Sequence, residues 1–208
     1  MIITYHGAQH VKLTLGDTTI SYNPVGKNSK KGKLTKYGAN IALSSMNAAE
    51  YNGVGEMAHG SREPFTVTGP GEYETQGIFI KGVGVETETA NGTAINTVYT
   101  FTLDNMQVCL LGSLSKKLSA EVREAMSGAD IVFACGNDDK ESLSPYDIYT
   151  VAQSLNPKII IPVGFNQTDF ALFLREGGKD GKEQLDKLTI KRKDIDLKNG
   201  EVIALTEI

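Results

Sequence analysis

The 208-residue chain contains few side chains that bind metal ions or form covalent cross-links: two cysteines, Cys109 and Cys135, and three histidines, His6, His10 and His59. Their spacing matches no recognisable zinc pattern. Each cysteine lies in an apolar, strand-like run, which is typical of a buried free thiol in a reducing compartment. The sequence therefore predicts a cytoplasmic protein with no bound metal and no other cofactor.

Long apolar runs and an excess of positive charge are also missing. No segment approaches the ~18 consecutive apolar residues of a transmembrane helix, and the opening Met-Ile-Ile-Thr-Tyr-His lacks the charged and apolar regions of a signal peptide. The net charge is −4, whereas dedicated nucleic-acid binders are usually basic. We therefore expect no membrane partner, and the charge disfavours a nucleic-acid partner.

The chain does contain many short strands, followed by strands that alternate with helices. β-branched and apolar runs predict strands over residues 2–5, 11–15, 18–22, 65–68, 78–85, 97–103 and 106–111. Helices are predicted over 118–127, from Ser144 and Pro145 to Asn156-Pro157, and over 168–176. Strands are predicted at 130–134, 158–163 and 202–205. This order indicates an α/β protein with helices packed on sheets.

The most informative segment is residues 41–54, I-A-L-S-S-M-N-A-A-E-Y-N-G-V. A short apolar strand ends at Ser44-Ser45 and leads into a loop and a predicted helix start. This is the shape of a strand that runs into a metal-binding loop. The segment nevertheless contains no histidine, so the pattern predicts the scaffold of such a site without its ligands.

Several segments in order resemble the metallo-β-lactamase superfamily, specifically its small bacterial Zn-dependent hydrolases similar to ascorbate-6-phosphate lactonase. They are the opening I-T-Y-H-G-A-Q-H-V-K-L, the stretch G-P-G-E-Y-E from residue 69, the L-S-P from residue 143 and the N-P-K-I-I-I-P from residue 156. The resemblance implies a four-layer αβ/βα sandwich, formed by residues 1–208 as a single domain, with its site at one edge between the sheets.

The residues at the family's metal positions depart from the pattern. The His-x-His-x-Asp-His motif is replaced at its four ligand positions by Met46, Ala48, Glu50 and Tyr51. The remaining positions hold Ala8, Asn23, Ser113 and Gly164. Zinc requires three or four N, S or O ligands, and only Glu50 is a good one. The metal site is therefore predicted to be lost, and with it the activated water of a hydrolase.

This combination implies a degenerate, non-catalytic member that serves as a binding or assembly module, and the family's tendency to oligomerise implies self-association. One alternative is a hydrolase of the phosphodiester or lactone type with a rebuilt or metal-independent site. We expect any ligand to contact the former metal cleft, whose candidate residues are His6, Asn23, Met46, Asn47, Glu50, Tyr51 and Ser113.

A second alternative is a weak RNA or phosphate binder. It would use the lysine loop, residues 27–36, which contains Lys27, Lys30, Lys31, Lys33 and Lys36. No aromatic residue for base stacking is interleaved before Tyr37, so a solvated loop is the simpler interpretation. The pair Glu72 and Glu74 is likewise interpreted as part of a solvated strand, and no Gly-x-Ser-x-Gly elbow supports a serine nucleophile.

Overall fold

The computed structural model describes residues 1–137, 139–179 and 183–208. Its strands, in chain order, are β1 (Ile2–Tyr5), β2 (Val11–Leu15), β3 (Thr18–Tyr22), β4 (Ile41–Leu43), β5 (Phe65–Val67), β6 (Gly71–Thr75), β7 (Ile78–Thr89), β8 (Gly92–Leu103), β9 (Met106–Leu110), β10 (Ile131–Cys135), β11 (Ile159–Val163), β12 (Leu188–Thr189) and β13 (Glu201–Val202). The helices are α1 (Ala120–Ala125), α2 (Pro145–Gln153) and α3 (Gln167–Glu176).

The strands form two mixed sheets. The first has the order β12-β1-β2-β3-β4-β5, in which β1 to β3 are antiparallel and β3, β4 and β5 are parallel. The second has the order β13-β11-β10-β9-β8-β7-β6, with parallel pairing from β13 to β9 and antiparallel pairing from β9 to β6. Parallel strands therefore end together at one edge of each sheet, where loops can converge.

The two sheets pack face to face through one apolar core. Alternate residues of each strand point inward, so Ile3, Leu13 and Ile20 of the first sheet share this core with Tyr99 and Phe133 of the second. The outer face of the second sheet is covered by the three helices in a separate apolar cluster. The outer face of the first sheet packs on a small cluster with the 3-10 turn Val54–Met57. The chain thus has the α/β sandwich architecture that the resemblance implied.

Helix α2 begins at its predicted cap. Ser144 caps α2, because its Oγ accepts a hydrogen bond of 3.1 Å from the backbone N–H of Asp147, and Pro145 occupies the first turn. Asn166 caps α3 in the same way, with 2.9 Å to the N–H of Asp169. Among the described residues, no helix is both long and apolar enough to cross a bilayer.

Several predicted boundaries were wrong. Strands β7 and β8 each extend over twelve residues and pair along almost their whole length, so their hairpin is longer than predicted. The turn that enters a solvated strand at residues 69–75 was interpreted correctly, because it leads into the edge strand β6, on which Glu72 and Glu74 are exposed. The predicted helix start after Ser44-Ser45 is only the 3-10 turn at Val54–Met57. The closing strand is Glu201–Val202 rather than 202–205.

Candidate functional site

The candidate site lies at one edge of the sandwich, where six segments from both sheets meet. They are the turn after β1, the ends of β3 and β4, and the residues that follow β9, β10 and β11. The loops after parallel strands β3, β4, β9, β10 and β11 converge here because such strands end on the same side. These segments carry most of the positions at which the resemblance expected metal ligands.

Five neutral side chains, Gln9, Asn23, Ser45, Tyr51 and Ser113, form a connected amide–hydroxyl network at this edge. Asn23 Nδ2 donates to Gln9 Oε1 and to Ser45 Oγ, each at 2.9 Å, and its Oδ1 accepts from the Ser45 N–H at 2.7 Å. Gln9 Nε2 donates to Ser113 Oγ at 2.9 Å, and the Ser113 hydroxyl donates to the Tyr51 hydroxyl at 3.3 Å. All five side chains are buried.

The amide groups fix the direction of these hydrogen bonds. Both hydrogens of Asn23 Nδ2 are used, and both hydrogens of Gln9 Nε2 are used because this atom also donates to the carbonyl of Gly136 at 2.8 Å. An amide oxygen only accepts and an amide nitrogen only donates. The Ser113 hydroxyl therefore accepts from Gln9, and it also forms a hydrogen bond of 3.3 Å with the Tyr51 hydroxyl.

Gly164, which stands where the resemblance expected a histidine, leaves no space for a side chain. Its φ is +75°, a left-handed conformation that favours glycine. A Cβ there would lie 2.7 Å from Gln9 Cγ and 2.8 Å from the carbonyl oxygen of Gly136. The Gln9 side chain thus packs against the Cα of Gly164, where a metal-binding side chain would begin. Gln9 in this position and a side chain at residue 164 therefore exclude each other.

The donors present at this edge do not fit a zinc ion. Ala8, Ala48 and Gly164 have no donor atom in their side chains. Burial raises the pKa of Tyr51 to about 12 against the opposing hydrogen bond from Ser113, so the phenol is neutral and a poor ligand. Across residues 1–137, 139–179 and 183–208, no three His, Cys, Asp or Glu side chains are grouped as a metal site. The side chains at this edge therefore do not support the family's metal chemistry.

Two adjoining cavities of about 300 and about 290 Å³ lie beside the network, and together we call them the cleft. Both are lined by Lys31, Glu50, Tyr51 and Asn137. The first continues along residues 164–166 and Glu207, and the second along the turn between β7 and β8. Cavities of this size can hold a small molecule. The edge at which the family's metal-binding side chains were expected therefore still has a cleft large enough for one.

Most of the sequence-predicted cleft residues line this depression or the network beneath it. Asn23, Tyr51 and Ser113 belong to the network, while Met46, Asn47 and Glu50 line the second cavity. Asn47 also accepts a hydrogen bond of 2.8 Å from Asn52 across its own loop. The structure brings these six residues to one edge of the sandwich.

His6 lies elsewhere, in a histidine cluster formed with His10 and Tyr37. The two imidazole centroids are 5.0 Å apart, and His10 Nε2 lies 2.7 Å from the Tyr37 hydroxyl. His6 Nε2 bonds Thr4 Oγ1 at 3.1 Å, and the Nδ1 atoms of both histidines are buried without a partner among the described residues. Burial and then Lys12 lower the pKa of His6 to about 4, and burial, His6 and Lys12 lower the pKa of His10 to about 3.

The other sequence candidates are dispersed. The five lysines of the lysine loop are exposed, and Lys31 pairs with Asp139 at 3.7 Å. His59 is an exposed residue bridged to Arg62 through the backbone. Glu72 and Glu74 lie exposed on edge strand β6, opposite Lys81 and Phe79 of β7. These positions do not converge on the cleft, apart from Lys31 and its neighbour Gly32, which packs on Ala8 and Val25.

Among the described residues, the serines near the site have no activating base. Ser113 Oγ accepts from an amide and donates to a phenol, and Ser44 Oγ donates to the Met46 carbonyl at 2.9 Å. Ser45 Oγ accepts from Asn23. A serine nucleophile requires a base within hydrogen-bond reach, and none of these three hydroxyls has an imidazole or carboxylate as its partner.

Two residues that organise the site were not among the sequence-predicted ones. Gln9 connects the two sheets, and Asn96 of β8 accepts from the Ser113 N–H at 3.2 Å while donating to the Leu111 carbonyl at 2.8 Å. A Cβ at Gly112 would lie 2.0 Å from Asn96 Oδ1. The sequence does show that Asn96 lies within an apolar strand. Because a buried polar side chain requires hydrogen-bond partners, this position could have indicated a structural role.

The comparisons with known proteins agree with this architecture. A search of curated proteins finds no match. A putative Zn-dependent hydrolase of the metallo-β-lactamase superfamily from Thermotoga maritima has a similar structure, with 21% identity, a TM-score of 0.73 and 99% of each chain covered. A putative metal-dependent hydrolase from Parabacteroides distasonis is 16% identical, with a TM-score of 0.67, and the match covers 99% of this chain and 92% of that one. At these identities the likeness shows the fold alone.

The family assignment comes from the sequence itself. A family profile described as the beta-lactamase superfamily domain matches residues 2–164, which is more than half of the chain. The matched range includes both sheets up to β11 and every residue of the amide–hydroxyl network. The chain belongs to the β-lactamase superfamily.

Proposed function

We propose that this protein is a non-hydrolytic member of its superfamily, which binds no zinc at the family's site and uses the cleft to bind a small molecule. One observation carries the proposal: neutral side chains that are hydrogen-bonded to one another fill the edge where ligands are expected. A metal would have to break these bonds, and no three His, Cys, Asp or Glu side chains of the described residues are grouped there to replace them.

The hydrolase alternative has less support. A metal-independent hydrolase needs a nucleophile with a base, and the hydroxyl of Ser113 is instead held between an amide donor and a phenol. His6 hydrogen-bonds to Thr4 rather than to any member of the network. The assembly role, the single-domain organisation over residues 1–208 and the cytoplasmic location remain predictions.

Metal analysis of the purified protein tests the proposal directly. The chain is expressed with zinc or manganese offered in the medium, and its metal content and thermal midpoint are measured before and after treatment with a chelator. We expect far less than one metal ion per chain and an unchanged midpoint. Near-stoichiometric metal whose removal lowers the midpoint would refute the proposal.

Turnover is measured on the same preparations, with a lactone and a phosphodiester as substrates. We expect no hydrolysis above that of heat-denatured protein. Hydrolysis that is abolished by Glu50→Ala but retained by Glu121→Ala, which alters an exposed carboxylate on α1, would establish the enzyme alternative instead.

A further inference from the structure

The segment of residues 30–38, between β3 and β4, is held by few contacts, and we call it the strap. It contains no helix or strand, and none of its backbone groups forms a backbone–backbone hydrogen bond with any described residue. Lys31 pairs with Asp139 at 3.7 Å, but both side chains are partly exposed, so this ion pair contributes little stability. The position of the strap therefore depends on packing and on a few side-chain contacts.

Two residues attach the strap to the rest of the chain. Gly32 packs against the turn after β1, because a Cβ on Gly32 would lie 3.0 Å from the Cβ of Ala8, and it also borders the first cavity of the cleft. Tyr37 lies near the other end of the strap, where its hydroxyl oxygen is 2.7 Å from His10 Nε2. The strap therefore runs from the cleft to the histidine cluster.

The ring of Tyr37 packs against both imidazoles of the histidine cluster. Its centroid is 5.5 Å from that of His6 and 5.6 Å from that of His10. Both Nδ1 atoms are buried without a partner among the described residues. No described carboxylate faces the imidazoles. The groups that do are Thr4 of β1, Lys12 of β2, Ser21 of β3 and Tyr37 of the strap. A positive charge on either imidazole would therefore be buried without a counter-charge.

We propose that the strap is released by acid: protonation of His6 and His10 detaches Tyr37, and Lys31 and Gly32 then withdraw from the wall of the cleft. With Tyr37 in place, burial first of all lowers the pKa of His6 to about 4 and that of His10 to about 3. Imidazoles in contact with water titrate near ~6.5. The released state thus binds more protons, and its population rises as the pH falls below about 6.5. This inference concerns the regulation of the cleft and therefore rests on the proposed function.

NMR spectroscopy of the isotopically labelled full chain tests the release. The amide signals of the strap and the imidazole signals are followed from about pH 7.5 to about pH 5, and relaxation dispersion measures the released population. Below pH ~6.5 we expect the ratio of released to closed chains to rise by up to about tenfold per pH unit for each histidine. The signals of β9, β10 and β11 should remain those of the folded core throughout.

Histidine variants assign the effect to the cluster. His10→Gln keeps a polar group beside the Tyr37 hydroxyl but does not titrate, so the rise should shrink to that of His6 alone, at most about tenfold per pH unit. Replacing both His6 and His10 by glutamine should remove the rise. The matched control His59→Gln, which alters the exposed histidine outside the cluster, should behave as the wild type.

A tyrosine variant tests the attachment itself. Tyr37→Phe keeps the ring and removes the hydroxyl, so the released population at neutral pH should increase by about two- to tenfold, as expected for the loss of one hydrogen bond. An unchanged population in this variant would show that the hydroxyl does not hold the strap.

Three further results would overturn the inference: strap signals that do not change over this pH range, a rise that persists when both histidines are glutamine, or a rise that His59→Gln removes. Release that occurs only together with loss of β9–β11 would also refute it, because the pH dependence would then belong to global unfolding. None of these measurements requires a ligand. The proposed function fails on stoichiometric metal and turnover, whereas this inference fails on the strap signals of a metal-free protein.

Discussion

Two polar clusters are built from the same short turn after β1, and they differ in chemistry. Gln9 belongs to the amide–hydroxyl network between the sheets, whereas His6 and His10 belong to the histidine cluster. Gln9 and His10 lie in the turn before β2, and within β2 the side chains alternate between the two faces of the sheet. Val11 and Leu13 are in the core between the sheets, and Lys12 lies over the ring of Tyr37.

The comparison shows that adjacent residues, such as Gln9 and His10, can belong to two separate clusters with different chemistry. The network is neutral and its amide groups are all paired, so its burial carries little cost. The histidine cluster has two buried Nδ1 atoms without a partner in the part of the chain that the structure describes, and its pKa values are lowered, so its burial is unfavourable at acid pH. His6 and His10, whose imidazoles are common in active sites, therefore do not face the cleft. Gln9 instead connects the two sheets.

The largest expected effect comes from removing that glutamine. Gln9→Ala should lower the free energy of unfolding by about 3–4 kcal/mol, because it leaves buried donors and acceptors unpaired on Asn23, Ser113 and Gly136 and opens a cavity. Urea unfolding followed by circular dichroism measures the change. His6→Ala, in the other cluster, should cost only about 1 kcal/mol since one weak hydrogen bond is lost. Equal losses in the two variants would contradict this difference between the clusters.

The second effect is the contribution of the histidine cluster to the pH dependence of stability. Unfolded histidines titrate near ~6.5, but the folded pKa values are lowered to about 4 for His6 and about 3 for His10, first by burial. Between these values the unfolded chain binds more protons, so stability rises with pH, by up to about 1.4 kcal/mol per pH unit for each histidine. It should therefore fall as the pH drops below about 6.5.

His6→Gln tests the assignment because glutamine does not titrate and retains a polar group near Thr4. The free energy of unfolding is measured at several pH values for the wild-type chain and for the variant. The difference between the two curves isolates the histidine from the carboxylates that also titrate in acid. A variant whose stability falls as steeply as that of the wild type between pH 6.5 and about 4 would assign the pH dependence to other groups.

Much of the fold was accessible from the sequence because its signals are local. Ser144 and Pro145 predict a helix start, because serine caps helices and proline is favoured in their first turn. The continuous apolar run Ile159–Val163 predicts a buried strand. The two-residue turn Asp104-Asn105 predicts a hairpin, and both residues have φ of 56°. The predicted strands 78–85 and 97–103 were too short, because the pairing between β7 and β8 continues as far as Thr89 and Gly92.

The site was only partly predictable, for a physical reason. The resemblance located the positions at which the family pattern expects metal ligands, such as Ser113 and Gly164, because each corresponds to a place in that pattern. It could not identify Gln9 or Asn96, because their importance depends on long-range hydrogen bonds. The sequence predicts which face of a strand a residue occupies. Which polar side chains then contact one another depends on how the two sheets pack. His6 was placed with the cleft because it flanks the turn that carries Ala8, whereas the structure places it with His10 and Tyr37.

The smallest effect probes the end of the network. Tyr51→Phe should lower the free energy of unfolding by only about 1 kcal/mol, because it removes one long hydrogen bond of 3.3 Å while Ser113 still accepts from Gln9. Ser113→Ala should cost more, since it leaves the Gln9 amide hydrogen unpaired in the interior. Urea unfolding of both variants gives this order directly. A larger loss for Tyr51→Phe than for Ser113→Ala would mean that the phenol donates inward to the network, and that its proton is not available to a ligand in the cleft.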